Sequence, residues 1–403
     1  VLQKTTETIE AETAGIETVS TKITENGAII TAPEKLESVL SQGLLDNESG
    51  SIAEKRDFFD LPRDALASEM VDIFGEKPYR ATQLFNWVYK AKVRDVGLMT
   101  NITKDVRRAL GERYEFPRAS IEKCEVSDDG SRKYLFRTSR GNLVESVMIK
   151  QPERMTLCVS SQVGCGMACS FCRTGTMGFI KHLRTSEILQ QVIGVIEDSQ
   201  ARWGDMFSNI VFMGMGEPLH NISAVVSAIK ILTDDQGLTI GPRKITVSTV
   251  GLVPRIEEFG AQVKANLAVS LNATTDAVRS TIMPVNQRYP LSELLGVLRR
   301  YPLGPRKRIT IEYVMLAGVN DTQEDLRRLP KLLRGIQAKV NLIPYNENAG
   351  LGYKSPAREW VAYWQKELSR EVDTTVRWSK GQDINAACGQ LAVDEMRRIT
   401  RVR

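Results

Sequence analysis

Histidine is nearly absent: only His182 and His220 occur in 403 residues. A metal site built from several imidazoles is thereby excluded, and a Ser-His-Asp hydrolase would have almost no choice of base. Cysteine is scarce as well. Six residues in a chain of this length cannot form the disulfide scaffold of a small secreted domain. No uncharged apolar run reaches the roughly 18 residues that a membrane-spanning helix requires. Residues 1–55 contain no aromatic side chain. They lack the large apolar groups that offset ordering entropy, so a disordered leader is expected there. That leader has neither the basic start and apolar block of a secretory signal nor the acid-poor composition of a transit peptide. A soluble, intracellular, cytoplasmic protein is the expectation.

What is present begins with charge. Residues 1–55 carry ten acidic and four basic residues, so the overall net charge of +5 conceals a distinctly basic body. Such a body suits an anionic partner, with nucleic acid foremost, although a solvated surface rich in Lys and Arg would look the same. In residues 56–118, Phe58, Phe59, Leu66, Met70, Ile73 and Phe74 have helical spacing, and Leu84, Trp87 and Val88 share one helical face. Lys77, Arg80, Lys90, Lys92 and Arg94 flank them. A small helical RNA-contacting domain is expected, or else a helical cap on the next domain.

Residues 119–150 alternate as strands, with turns at Asp129-Gly130 and Arg140-Gly141-Asn142, and read as a β-hairpin connection. From 151 to 387 strand and helix alternate. Candidate strands are 156–160, 209–215, 244–250, 265–271, 309–315 and 340–344, with 374–378 a further one. Candidate helices are 186–197, 224–232, 291–300 and 322–334. This pattern is α/β with parallel strands. Six or so units fall short of a closed eight-fold barrel, so an open, partial (β/α)6 TIM-type barrel is the first expectation and a doubly wound sheet the second. Either places function at the C-terminal ends of the strands. Residues 388–403 form a loop and a basic tail.

Three cysteines crowd together as Cys165-x-x-x-Cys169-x-x-Cys172, directly after the first barrel-type strand. Three thiolates so spaced serve a soft metal centre. Zinc would take a fourth protein ligand, and His182 lies ten residues on. An iron–sulfur cube held by three cysteines would instead leave one iron open to a non-protein ligand.

The triplet, with Phe171 before its last cysteine, resembles the radical S-adenosylmethionine superfamily, as does Gly216-Glu217-Pro218 after the second strand. Further segments resemble the RlmN family: Cys158-Val-Ser-Ser-Gln-Val-Gly-Cys165, Met213-Gly-Met-Gly-Glu-Pro218, Asn341-Leu-Ile-Pro-Tyr-Asn346 and Asp383-Ile-Asn-Ala-Ala-Cys-Gly-Gln-Leu391. The resemblance spans about residues 57–395 and excludes the leader. It implies methylation of carbon 2 of adenosine in 23S rRNA, in the peptidyl-transferase loop, and in tRNA, 3′ of the anticodon. It implies a [4Fe-4S] cluster on Cys165, Cys169 and Cys172, two molecules of S-adenosylmethionine per turnover, and an electron donor such as flavodoxin or ferredoxin.

Carbon 2 of adenine is electron-poor and does not attack a methyl sulfonium, so a carbon radical has to add to the ring. The resemblance makes Cys388 the S-methylcysteine intermediate and Cys158 the resolving thiol that forms a transient disulfide with it. Glu145, in Val144-Glu-Ser-Val-Met-Ile149, becomes the proton acceptor. Contacts to S-adenosylmethionine fall on Gly216, Glu217, Ser248, Ser270, Leu271, Asn272 and Asn346. Asn272 stands where many relatives carry histidine, and it still offers a donor and an acceptor. Cys124 has no partner motif and reads as a small buried side chain. Two other functions share much of this pattern: a carbon 8 adenosine methyltransferase of the antibiotic-resistance type, and a zinc-bearing RNA-binding adaptor without catalysis. A monomer is expected, with no membrane association.

Overall fold

The computed structural model describes residues 55–348 and 350–392. The acidic leader up to residue 54 and the basic tail from 393 lie outside the described residues. The N-terminal part comprises β1 (Arg56–Asp57), α1 (Arg63–Asp72), α2 (Tyr79–Phe85), α3 (Lys104–Arg113) and β2 (Tyr114–Glu115). Pro78 caps α2, where its fixed φ suits a helix start. An aromatic cluster forms the interior. Phe58 stacks on Phe116 at 4.9 Å and meets Tyr114 edge-on at 6.1 Å, with Phe85 and Tyr89 alongside. Ile73, expected on the buried face, is 48% exposed at the C-terminal end of α1.

Much of the basic flank docks this part against the following one. Arg94 binds Glu197 at 2.9 Å and the carbonyl of Pro117. Lys90 and Lys92 reach Thr239 and Gln200, while Arg80 holds Glu76, Gln83 and the Asn101 carbonyl. Arg63 spans the same seam to Asp234 and Asp235.

The next strands are β3 (Ser120–Val126), β4 (Arg132–Arg137), β5 (Leu143–Gln151), β6 (Arg154–Cys158), β7 (Gln162–Cys165), β8 (Gly178–His182), β9 (Asn209–Phe212), β10 (Ile245–Thr249), β11 (Asn266–Ser270), β12 (Ile309–Met315), β13 (Ala338–Pro344) and β14 (Thr374–Val376). Ten of them form one sheet in the order β14-β13-β12-β11-β10-β9-β6-β5-β4-β3. From β6 to β14 every pairing is parallel and the order follows the chain. A doubly wound sheet reverses its order at a switch point, and here there is no reversal. The outcome is the first expectation, a partial TIM-type α/β barrel that is open rather than closed. The expected connecting hairpin is part of the same sheet: β3, β4 and β5 extend it antiparallel from β6.

The one-turn helix α4 (Arg173–Thr176) is followed by the helices between the parallel strands, α5 (Thr185–Asp198), α6 (Ile222–Thr233), α7 (Val253–Gln262), α8 (Asp276–Ile282), α9 (Leu291–Arg300), α10 (Gln323–Leu332) and α11 (Arg358–Leu368). In α9, Leu291, Leu294, Leu295 and Leu298 recur at helical spacing and are buried. Thr322 and Asp325 cap α10 reciprocally. The strand interiors are apolar on both faces, as in Leu267-Ala268-Val269, because the sheet is covered on both sides.

Candidate active site

A cavity opens where the parallel strands end. Its wall includes Cys165, Cys169, Phe171 and Cys172 on one side, and Gly216, Glu217, Ser248, Ser270, Asn272, Asn346 and Cys388 around the rest. The cluster-type cysteines sit on a loop closed by the small hairpin of β7 and β8. That hairpin escaped the sequence reading because Gln162-Val-Gly-Cys165 is too short to alternate. Gly175 lets the loop fold tightly: a Cβ there would lie 2.9 Å from the Cys169 carbonyl oxygen.

The donor set fits a soft cluster with an open position. Burial pushes the thiols of Cys165, Cys169 and Cys172 up, and mutual proximity adds to it for the first two. Iron would reverse that penalty by stabilising the thiolates. The zinc alternative loses its fourth ligand. His182 is not in the cavity wall; its Nδ1 lies 3.0 Å from Gln162 Nε2 and its ring packs on His220 at 4.7 Å. Among the described residues no set of three His, Cys, Asp or Glu surrounds a single ion.

Glu217 is 2% exposed. Its oxygens accept from the backbone N–H groups of Val250 (2.9 Å) and Leu219 (3.0 Å), with no cation among its described partners. Burial raises its carboxyl to about 7 against those bonds. A buried carboxylate of this kind suits an incoming ammonium group. Gly216 has φ +98°, and a Cβ would lie 2.4 Å from Gln162 Cβ. Glycine is required there by a close approach to Gln162, whose Oε1 also accepts the Glu217 N–H at 2.8 Å.

The other expected contacts divide. Ser248 donates to Glu312 Oε2 at 2.6 Å. Asn272 adopts φ +56°, accepts from the Val314 N–H at 2.8 Å and donates to Met283 Sδ, so its side chain fixes the end of β12. Asn and His both tolerate that backbone region. Leu271 is fully buried and does not line the cavity. Asn346 donates to the Cys388 carbonyl at 3.0 Å. Glu312 went unnoticed in the sequence, although a carboxylate inside the apolar strand Ile309–Met315 was the available signal. Arg279 was also missed. It is fully buried and donates to the carbonyls of Leu271, Ser270 and Val250, tying two strand ends together beside Cys169.

Cys388 lies on a heavily anchored loop. Gly389 accepts from the Arg173 N–H at 2.8 Å, next to Cys172, and Leu391 accepts from Thr174 Oγ1 at 2.6 Å. Asp383 accepts from Ser127 and from the Asp128 N–H, while Gly381 donates to Asp129. Cys388 therefore borders both the main cavity and a smaller one shared with Cys158 at the end of β6. Both thiols are free. Burial, and then Cys388, push the Cys158 thiol up to about 12.

Glu145 lies on β5 behind this loop and lines neither cavity. It is 6% exposed, and its Oε1 is 3.5 Å from Lys133 Nζ. Burial raises its carboxyl to about 7, with Lys133 the chief opposing influence.

Comparison with known proteins follows this geometry. Residues 56–116 match the ribosomal RNA large subunit methyltransferase N-terminal domain, and residues 159–329 match the radical SAM superfamily. The chain is 50% identical over 318 residues to the dual-specificity RNA methyltransferase RlmN of Geotalea uraniireducens, covering 79% of this chain and 91% of that one. It is equally identical over 318 residues to the RlmN of Geobacter sulfurreducens, covering 87% of the latter. The crystal structure of a radical SAM methyltransferase from Sphaerobacter thermophilus superposes with a TM-score of 0.75 at 39% identity, covering 83% of this chain and 98% of that one.

Proposed function

Because this chain belongs to the RlmN family of radical S-adenosylmethionine RNA methyltransferases, we propose that the cavity at its strand ends is where an RNA adenosine is methylated. The enzyme methylates carbon 2 of adenosine in rRNA and tRNA, with a [4Fe-4S] cluster and two molecules of S-adenosylmethionine per turnover. When bound, those groups supply one-electron reduction and a hydrogen-abstracting carbon radical. The electron comes from a donor such as flavodoxin or ferredoxin.

The protein's own residues do the rest. Cys165, Cys169 and Cys172 hold the cluster. Glu217 receives the amino group of S-adenosylmethionine, with Gly216 keeping the backbone close. Ser248, Ser270, Asn272 and Asn346 shape the remaining wall, Asn346 chiefly by holding the Cys388 carbonyl. Cys388 carries the methyl group, and its carbon bonds to carbon 2. Glu145 takes the displaced proton, for which a carboxyl near neutrality is suited. Cys158 then attacks the Cys388 sulfur and frees the RNA. The adenosine leaves its stack to reach the cavity.

The single observation that carries this reading is the Cys388 loop, bonded at Gly389 to Arg173 beside the cluster cysteines. The finer substrates are the peptidyl-transferase loop of 23S rRNA and the tRNA adenosine 3′ of the anticodon. The enzyme works as a monomer in the cytoplasm, where these RNAs are. Among the described residues no helix is long and apolar enough to cross a membrane.

The test is anaerobic reconstitution with reductant, S-adenosylmethionine and either an rRNA fragment or tRNA, followed by nucleoside mass spectrometry. The expected product is 2-methyladenosine from a brown, iron-containing protein. Methylation at carbon 8, or a colourless zinc protein without product, would overturn the proposal.

A further inference from the structure

Arg377 is the first residue beyond β14, held by its backbone N–H on the Leu342 carbonyl at 2.8 Å. Its guanidinium enters the small cavity shared by Cys158, Met213 and Cys388. Nη1 lies 3.4 Å from Met213 Sδ and 4.0 Å from Glu312 Oε1. Glu312 is itself fixed by Ser248 in the wall of the main cavity. Ser248, Glu312 and Arg377 thus connect the wall of the main cavity to the small cavity that Cys388 also lines. Cys388, then Glu312 and Cys158, are the neighbours that favour the arginine charge.

A guanidinium keeps its charge when buried, and its planar fork can face two anions at once. From this shared cavity we propose that Arg377 is a positioning residue that sets the Cys388 sulfur toward its methyl donor, with Glu312 bracing the guanidinium. This assignment rests on the roles given above to Cys388 and Cys158. In the step concerned, the Cys388 thiol first gives its proton to solvent. The thiolate then forms a bond to the methyl carbon of the sulfonium. The carbon–sulfonium bond breaks, its electron pair stays on the departing sulfur, and S-adenosylhomocysteine leaves. No oxidant or reductant is consumed. Once methylated, the sulfur is neutral, and the guanidinium is left to Glu312 and to Cys158, the next thiol required to react.

The test uses the reconstituted full chain and reads S-methylation of Cys388 by peptide mass spectrometry after mixing with S-adenosylmethionine. Iron content and S-adenosylmethionine affinity are measured in parallel. In Arg377→Gln, iron and affinity should match the parent while S-methylation slows by about 10- to 100-fold, the scale of one charge-assisted hydrogen bond. Arg377→Lys should recover a measurable part of that loss. S-methylation at the parental rate in Arg377→Gln would overturn the proposal. So would loss of iron in both variants, or a lysine variant no better than the glutamine one. A Cys388→Ala protein that still yields 2-methyladenosine would refute the underlying role of Cys388 instead, whatever Arg377 does.

Discussion

The backbone N–H of Ala392 donates to Glu145 Oε2 at 2.9 Å, so the segment that follows Cys388 is fastened to the expected proton acceptor. Two regions 247 residues apart in sequence meet at one carboxyl group. In this arrangement one hydrogen bond ties the Cys388 loop to Glu145.

The pH dependence follows from the burial of Glu145. The Glu145 carboxyl sits near 7, raised above its ordinary value. A base must be ionised, so methyl transfer should rise with pH through about 7 and level off above it. Folding runs the other way. Between the ordinary carboxylate range and 7 the native state binds more protons than the unfolded chain, so this group's contribution to stability falls as pH rises through that window. Glu217 titrates in the same range for the same reason. The Glu145→Gln variant separates them. It should lose product while its denaturant stability becomes less dependent on pH between about 5 and 8, the window set by these groups. Unchanged product formation would remove Glu145 from the chemistry.

The two outlying cysteines should fail differently. Cys388→Ala should yield no methylated nucleoside. Cys158→Ala should accumulate protein covalently joined to RNA, visible as a shifted band on a denaturing gel. An equal loss in both variants with no covalent species would refute the resolving role of Cys158.

Gly216→Ala tests the close approach at the cavity wall. The added Cβ would meet Gln162 at 2.4 Å, in a backbone conformation with φ +98°. Strain of this type costs about 1–3 kcal/mol, and the clash adds to it. Denaturant melting should show the destabilisation. S-adenosylmethionine affinity should fall along with it, because the Glu217 N–H rests on the same Gln162 side chain.

The cations of the N-terminal part should not be equivalent. Lys77, Lys104 and Arg108 are exposed, whereas Arg94 is committed to Glu197 and packs over Phe59 at 5.4 Å. Charge reversal of the exposed three should weaken RNA binding and flatten its salt dependence by about 0.7–0.9 in slope per lost phosphate contact. Arg94→Ala should instead lower the melting temperature. RNA binding and salt slope untouched by the triple reversal would remove this face from the interface.

Several features were legible because they are local. The triplet Cys165, Cys169 and Cys172 carries its chemistry in its own spacing. The strand Ile309–Met315 and the helix Leu291–Arg300 were read to the residue, since apolar periodicity and turn residues suffice for them. The hairpin of Gln162–Cys165 and Gly178–His182 was not legible. Its register depends on contacts across the cluster loop, with only four and five residues to signal it.

Sequence alone determined which residues carry sulfur and carboxylate, and in what order they fall along seven parallel strands. It could not determine which of them meet. Cys388 reaches Cys158 and Arg377 because β14 and β6 stand at opposite ends of the parallel series and the loop after β14 returns across the strand ends. Asn346 and Asn272 look like ligand residues in the sequence, yet their side chains are engaged with the Cys388 carbonyl and the Val314 N–H. A side chain's polar groups go to whichever partner folding brings within about 3 Å, and long-range packing sets that distance.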